Sequence, residues 1–174
     1  FGFTKQEIET LKIEKKIFLK SRTNNSSGHD ILNSMSQITM DIANNFSKKK
    51  YDAAIVLGDR YEALNFVFCC FIFRIPIIHI GGGSITLGSL DDIYRKCISQ
   101  MASLHFVETS NHKKNLNNIG IKKNIFITGA PALENIYDKK TPLSILNGKY
   151  DDFIKSKKKR IIACFHPETN ISKN

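Results

Sequence analysis

With 174 residues the chain is long enough to bury one sizeable core, or one domain plus part of a second. A formal charge of +10 invites a nucleic-acid partner, but the lysines are scattered over Lys48–Lys50, Lys113–Lys114, Lys122–Lys123 and Lys155–Lys159 with no aromatic-interleaved basic strand or recognition helix, so no nucleic acid is expected. Four cysteines, Cys69, Cys70, Cys97 and Cys164, lack metal-ligand spacing and read as free thiols of a reducing cytosol, while the apolar run Phe66–Ile80 is broken by Arg74 and Pro76 and is too short for a membrane span.

In chain order, apolar runs alternate with helical patterns. A strand is predicted at Lys16–Leu19, a helix at His29–Phe46, a strand at Ala53–Leu57 and a helix at Tyr61–Phe73. A strand at Pro76–Ile80, a helix near Leu90–Met101 and a strand at Leu104–Val107 follow. A helix at Ser110–Asn118, closed by Gly120, and a strand at Asn124–Thr128 complete the series. The strands are continuous apolar runs, as in parallel sheets covered on both faces. The fold class expected is α/β, a doubly wound parallel sheet of Rossmann-like type. Tyr137–Lys159 is polar and lysine-rich and reads as a connection, after which Arg160–Phe165 reads as a new strand ending in His166-Pro167. The expected division is a first domain over 1–138, a connection over 139–159 and the start of a second Rossmann-like domain over 160–174. With Phe1 at one end and a fresh strand at the other, the chain reads as a fragment.

Open α/β sheets bind ligands at the carboxyl ends of their strands. Asp59 stands there, after Gly58, as a base or hydroxyl ligand, or else as the N-cap of the following helix. Gly81-Gly82-Gly83-Ser84 follows the next strand, where backbone amides can approach a phosphate, although the turn has neither dinucleotide-fingerprint nor P-loop spacing and reads equally as a crossover loop. Asp91-Asp92 opens a helix with Arg95 one turn on. Two adjacent carboxylates facing a cleft raise each other's proton affinity and poise one as a general acid or base, whereas at a helix start they simply complement the dipole. His79 and His105 read as core histidines, and His166 as an imidazole reaching across a cleft between domains.

Taken together, Gly58-Asp59-Arg60-Tyr61-Glu62, His79-Ile80-x-Gly82-Gly83, Asp91-Asp92-x-x-Arg95, Ser103-Leu104-His105-Phe106-Val107, Thr128-Gly129-Ala130-Pro131 and Phe165-His166-Pro167 resemble the UDP-N-acetylglucosamine 2-epimerases. Order and spacing are most similar to the hydrolysing branch, which feeds sialic and related nonulosonic acid synthesis. The resemblance implies two Rossmann-like domains facing each other across a cleft, the glycosyltransferase-B arrangement. This chain would supply the N-terminal half, without its first strand and helix, plus the beginning of the second domain. It also implies a cytoplasmic enzyme acting on a UDP-sugar without metal or cofactor, a possible homo-oligomer when full length.

The implied chemistry removes the C2 proton and expels UDP from C1, after which water adds at C1 and C2 is reprotonated from the other face. Asp59, one of Asp91 and Asp92, and His166 fall on the family's catalytic positions. Arg60, Gly82, Gly83, Ser84, Arg95 and Gly129 are the expected substrate-binding set. Three positions depart from the pattern: Gly81 stands where members carry Glu or His, Ser84 where they carry Glu, and Lys96 where they carry His. Loss of an acid/base partner typically costs about 10²–10⁴ in rate, so the fragment is expected to be inactive by itself. The alternatives are a non-hydrolysing 2-epimerase and a nucleotide-sugar-binding remnant without turnover.

Overall fold

The computed structural model describes residues 8–19, 27–133 and 159. The chain divides into two compact units, Phe1–Lys50 and Tyr51–Asn174. The first contains helix α1 (Gly28–Phe46), which starts where Ser27 accepts a hydrogen bond from the Asp30 N–H at 3.1 Å, a side-chain cap. Its buried positions, Ser34, Ile38 and Ile42, recur every four residues along one stripe. The expected strand at Lys16–Leu19 is not formed. Among the described residues the segment has no sheet ladder, and Ile17 and Phe18 stay about half exposed. Strand propensity in four residues does not persist without neighbouring strands to pair and pack against.

The second unit is built from β1 (Ala54–Leu57), α2 (Tyr61–Ile72), β2 (Ile77–Ile80), α3 (Asp91–Met101), β3 (Leu104–Val107), α4 (Ser110–Asn118) and β4 (Ile125–Ile127). Each element falls within a residue or so of its predicted span. The sheet order is β1-β2-β3-β4, all parallel, with Val56 opposite His79, His79 opposite His105 and His105 opposite Ile125.

A sheet whose strands follow chain order, joined by right-handed crossovers, carries its helices on one face. Burial agrees with that geometry. Ala54, Val56, Ile77, His79, His105, Val107 and Ile125 are buried, whereas their alternates Ile55, Leu57 and Phe126 are more than half exposed. Within this unit the apolar strands are therefore covered on one side by its own helices. α2 packs on β1 and β2, α3 on β2, and α4 on β3 and β4, with α2 and α3 also against each other. Val107, Leu116 and Ile125 close a small core under α4. All four strands point their carboxyl ends to one edge, which carries Gly58, Gly81, Glu108 and Thr128. The expected connection over 139–159, apart from Lys159, and the strand from Arg160 with His166 lie outside the described residues.

Candidate active site

Asp59 leaves β1 through Gly58, whose φ of 104° turns the chain toward α3. Its carboxylate does not cap α2. The N-cap of that helix is Arg60, with no side-chain cap bond, and Asp59 instead pairs with the Arg95 guanidinium. The cap alternative is thereby excluded by tertiary contact.

Arg95 is the hub of the site. Its side chain is only 8% exposed, and its two terminal nitrogens are fully engaged. Nη1 donates to the Ser84 carbonyl at 2.8 Å and reaches Asp92 Oδ1 at 3.4 Å, while Nη2 donates to Asp59 and lies 3.3 Å from Thr86 Oγ1. A planar guanidinium is suited to holding several acceptors in fixed directions. It thus ties the turn after β1, the loop after β2 and the first turn of α3 together.

Asp92 is buried in that network. Its Oδ1 accepts from the Thr86 N–H at 3.1 Å, and its Oδ2 pairs with Lys96 Nζ at 2.6 Å. Burial alone pushes its carboxyl up, but the Lys96 and Thr86 hydrogen bonds and the charges of Lys96 and Arg95 outweigh it, so the group stays below its ordinary value. Of the two readings of the pair, mutually raised proton affinity or a helix start that complements the dipole, Asp92 does not follow the first. Asp91 differs from its neighbour. It is part-buried, its N–H donates to Ser89 Oγ at 3.2 Å, and its carboxylate has no hydrogen bond or ion pair among the described residues.

The glycine turn is shaped by packing. A Cβ on Gly82 would lie 2.9 Å from Ser99 Oγ and 3.1 Å from His79 Nδ1, and a Cβ on Gly83 would lie 2.2 Å from the His112 carbonyl oxygen. The Gly81 N–H is spent on the Phe106 carbonyl at 2.9 Å, and Asn115 Nδ2 donates to the Gly83 carbonyl at 2.9 Å. At Gly81 a side chain would meet open space, opposed only by φ of 85°.

His79, fully buried, lies between Gly58 and Ser99, with Nε2 3.3 Å from the Gly58 carbonyl and Nδ1 3.0 Å from Ser99 Oγ. Burial lowers its pKa to about 4, with the Gly58 hydrogen bond only partly opposing. The ring is therefore neutral at physiological pH. A carbonyl can only accept, so the proton is assigned to Nε2 and Nδ1 receives the Ser99 hydroxyl. His105 is likewise buried and pushed down by burial, and among the described residues its Nδ1 has no hydrogen-bond partner.

Two expected binding residues stand apart from this cluster. Arg60 is largely exposed, 3.4 Å from Glu62 and 5.8 Å from the Tyr61 ring centroid. Gly129 follows β4, three strand spacings of about 4.8 Å from the turn after β1. Conversely, Thr86, Ser99 and Asn115 hold the site and were not singled out from sequence. Ser99 had one signal, its place four residues after Arg95 on the buried stripe of α3. A cavity of about 160 Å³ lies between Ser84, Arg95, Lys96 and Ser99 on one side and Asn115 and Leu116 on the other. That is well below the roughly 300–1,000 Å³ of a drug-sized ligand site. Among the described residues no group of His, Cys, Asp and Glu is arranged to hold a metal ion, and no helix is long and apolar enough to cross a membrane.

The family described as UDP-N-acetylglucosamine 2-epimerase matches this chain over residues 2–174. The chain belongs to that family. It is 35% identical over 181 residues to a Campylobacter jejuni protein named GDP/UDP-N,N'-diacetylbacillosamine 2-epimerase (hydrolyzing), covering 100% of this chain and 45% of that one. It is 36% identical over 148 residues to the Escherichia coli polysialic acid biosynthesis protein P7, covering 84% and 37%. Among solved structures it is similar to the Methanocaldococcus jannaschii UDP-GlcNAc 2-epimerase in complex with UDP-GlcNAc and UDP, with a TM-score of 0.64 at 19% identity over 82% of this chain and 40% of that one. It is also similar to the Neisseria meningitidis enzyme bound to UDP-GlcNAc, with a TM-score of 0.62 at 22% identity over 76% and 37%. This epimerase-family chain thus spans less than half the length of these relatives, and its parallel sheet belongs to their glycosyltransferase-B type fold.

Proposed function

We propose that the protein containing this chain is a hydrolysing UDP-2-acetamido-sugar 2-epimerase, and that this chain carries the sugar-facing half of its site. The observation that carries the reading is the Asp59 carboxylate, placed at the carboxyl end of β1 by Arg95 and left 29% exposed instead of being used as a helix cap. In the proposed reaction a carboxylate takes the C2 proton, and the electrons of the C2–H bond form a C1=C2 double bond as the C1–O bond breaks and UDP departs. Water then adds its oxygen at C1 while a proton returns to C2 from the opposite face, giving the 2-epimeric free sugar and UDP. Asp59 and Asp91, the latter unpaired among the described residues, are the carboxylates available for these transfers. Asp92, held ionised by Lys96 and Arg95, serves to position them.

Ser84, Gly82, Gly83, Arg60 and Gly129 are proposed to contact the substrate, with His166 contributed from a second domain beginning at Arg160 after a connection over 139–159. The full-length protein is proposed to be cytoplasmic and homo-oligomeric. Turnover in D₂O of the chain, and of the longest natural reading frame containing it, is followed by proton and phosphorus NMR with UDP-GlcNAc and UDP-N,N'-diacetylbacillosamine. Deuterium at C2 with free UDP supports the reading, deuterium at C2 with intact UDP-sugar makes it a non-hydrolysing epimerase, and no exchange in folded full-length protein refutes both.

A second reading rests on Gly81 and Ser84, which put no acidic or imidazole group on the turn after β2. It is a nucleotide-sugar-binding protein without turnover. Calorimetric binding of UDP in the absence of any C2 exchange is the result that selects it.

A further inference from the structure

We propose that His79 and Ser99 form a positioning bridge that sets the distance between the turn carrying Asp59 and the helix carrying Arg95 and Asp92. Gly58, whose carbonyl receives the imidazole, immediately precedes Asp59. Ser99, whose hydroxyl reaches the other ring nitrogen, follows Arg95 by one helical turn. One rigid imidazole therefore spans the same gap that the Asp59–Arg95 pair closes at the surface. His79 and Ser99 are 0% and 1% exposed, so water does not compete for either bond. Gly82 lies against the same pair of atoms, so the glycine turn takes its seat from the bridge as well. The buried ring stays neutral, and the bridge holds across the physiological pH range.

The role in catalysis rests on the proposed epimerase reading, but the bridge can be tested without turnover. In the ¹³C,¹⁵N-labelled chain, long-range proton–nitrogen correlations are expected to show His79 as the Nε2–H tautomer without titration between about pH 5 and pH 9. The Arg95 Nη1 and Nη2 protons, which carry its bonds to Ser84, Asp92 and Asp59, are expected to exchange slowly with water, and Ser99→Ala to speed that exchange by about tenfold or more. His79→Asn, which keeps an acceptor for Ser99 but drops the Gly58 arm, should move the same signal. An Nδ1–H tautomer, a charged ring in this pH range, or an unchanged Arg95 rate in a folded variant overturns the bridge. If neither variant folds, the wild-type tautomer alone decides.

In the full-length protein Ser99→Ala is expected to lower kcat by about tenfold or more with KM held. Absence of wild-type turnover sinks the proposed function and leaves the Arg95 measurement to judge the bridge. Normal turnover with an unresponsive Arg95 sinks the bridge alone.

Discussion

Asp59 and Arg95, 36 residues apart in sequence, meet as an ion pair in which the arginine is nearly buried and the carboxylate stays partly open. The same guanidinium faces Asp92, so it is the counter-charge that lets two carboxylates share one site.

Arg95→Ala is expected to leave Asp59 and Asp92 facing each other without the guanidinium between them. Because Asp59 is partly open and Asp92 keeps its pair with Lys96, the loss is expected below that of a fully buried pair, about 1–3 kcal/mol, and urea unfolding should shift to lower denaturant. Arg95→Lys should recover only part of the loss, because a single ammonium cannot reproduce the contacts to Ser84, Thr86 and both carboxylates. Equal stability of wild type and Arg95→Ala would mean that the network contributes nothing.

The three glycines after β2 should rank by what a methyl group meets. Gly83→Ala drives Cβ into the His112 carbonyl at a positive φ and is expected to cost about 2 kcal/mol or more. Gly82→Ala, pressed on Ser99 and His79, should be intermediate. Gly81→Ala pays only for backbone strain, about 1 kcal/mol. Thermal melts of the three variants give the order directly, and a Gly81 variant that is the least stable contradicts it.

Stability should fall with acid in two separable steps. The folded His79 pKa of about 4 lies below the unfolded 6.5, so the unfolded state binds the extra proton between them. This contribution is present above pH 6.5 and is lost as pH falls toward 4, on the order of 3 kcal/mol in all. His79→Gln should flatten that window. Asp92, depressed below its ordinary 3.8, contributes stability above that value and loses it as pH falls through the folded pKa. Lys96→Met should remove part of the second step while leaving the first. Urea midpoints measured from neutral to acid pH in both variants test the assignment.

Thiol reactivity should be uneven. Burial, with Cys69 alongside, pushes the Cys70 thiol up to about 12, and Cys69 is itself buried, whereas Cys97 lies exposed on α3. Of these three, only Cys97 is expected to react with Ellman's reagent in the folded protein at mildly alkaline pH. Rapid labelling of Cys70 by peptide mapping would show that α2 opens.

The second unit was legible because its strands are short apolar runs separated by amphipathic segments, and α4 carries its own start and stop residues, Thr109 and Gly120. Lys16–Leu19 shows the limit of that approach: a short apolar run behind a lysine forms no strand among the described residues. At the site, residue types identified the right turns but not their contacts. Whether Asp59 caps α2 or pairs with Arg95 depends on a helix in the next crossover of the chain. Asp91 and Asp92 are the same residue type side by side, and Lys96, Arg95 and the Thr86 N–H together separate the buried, paired carboxylate from its part-buried neighbour. The need for glycine at position 83 comes from the backbone of His112, which no local pattern announces.

Because β1, β2, β3 and β4 lie in the sheet in the order they occur in the chain, each is added at an edge already formed by the one before. No later strand has to be threaded between two earlier ones. The Asp59–Arg95 pair therefore lies wholly within a unit of local chain connections, whose low contact order favours rapid folding.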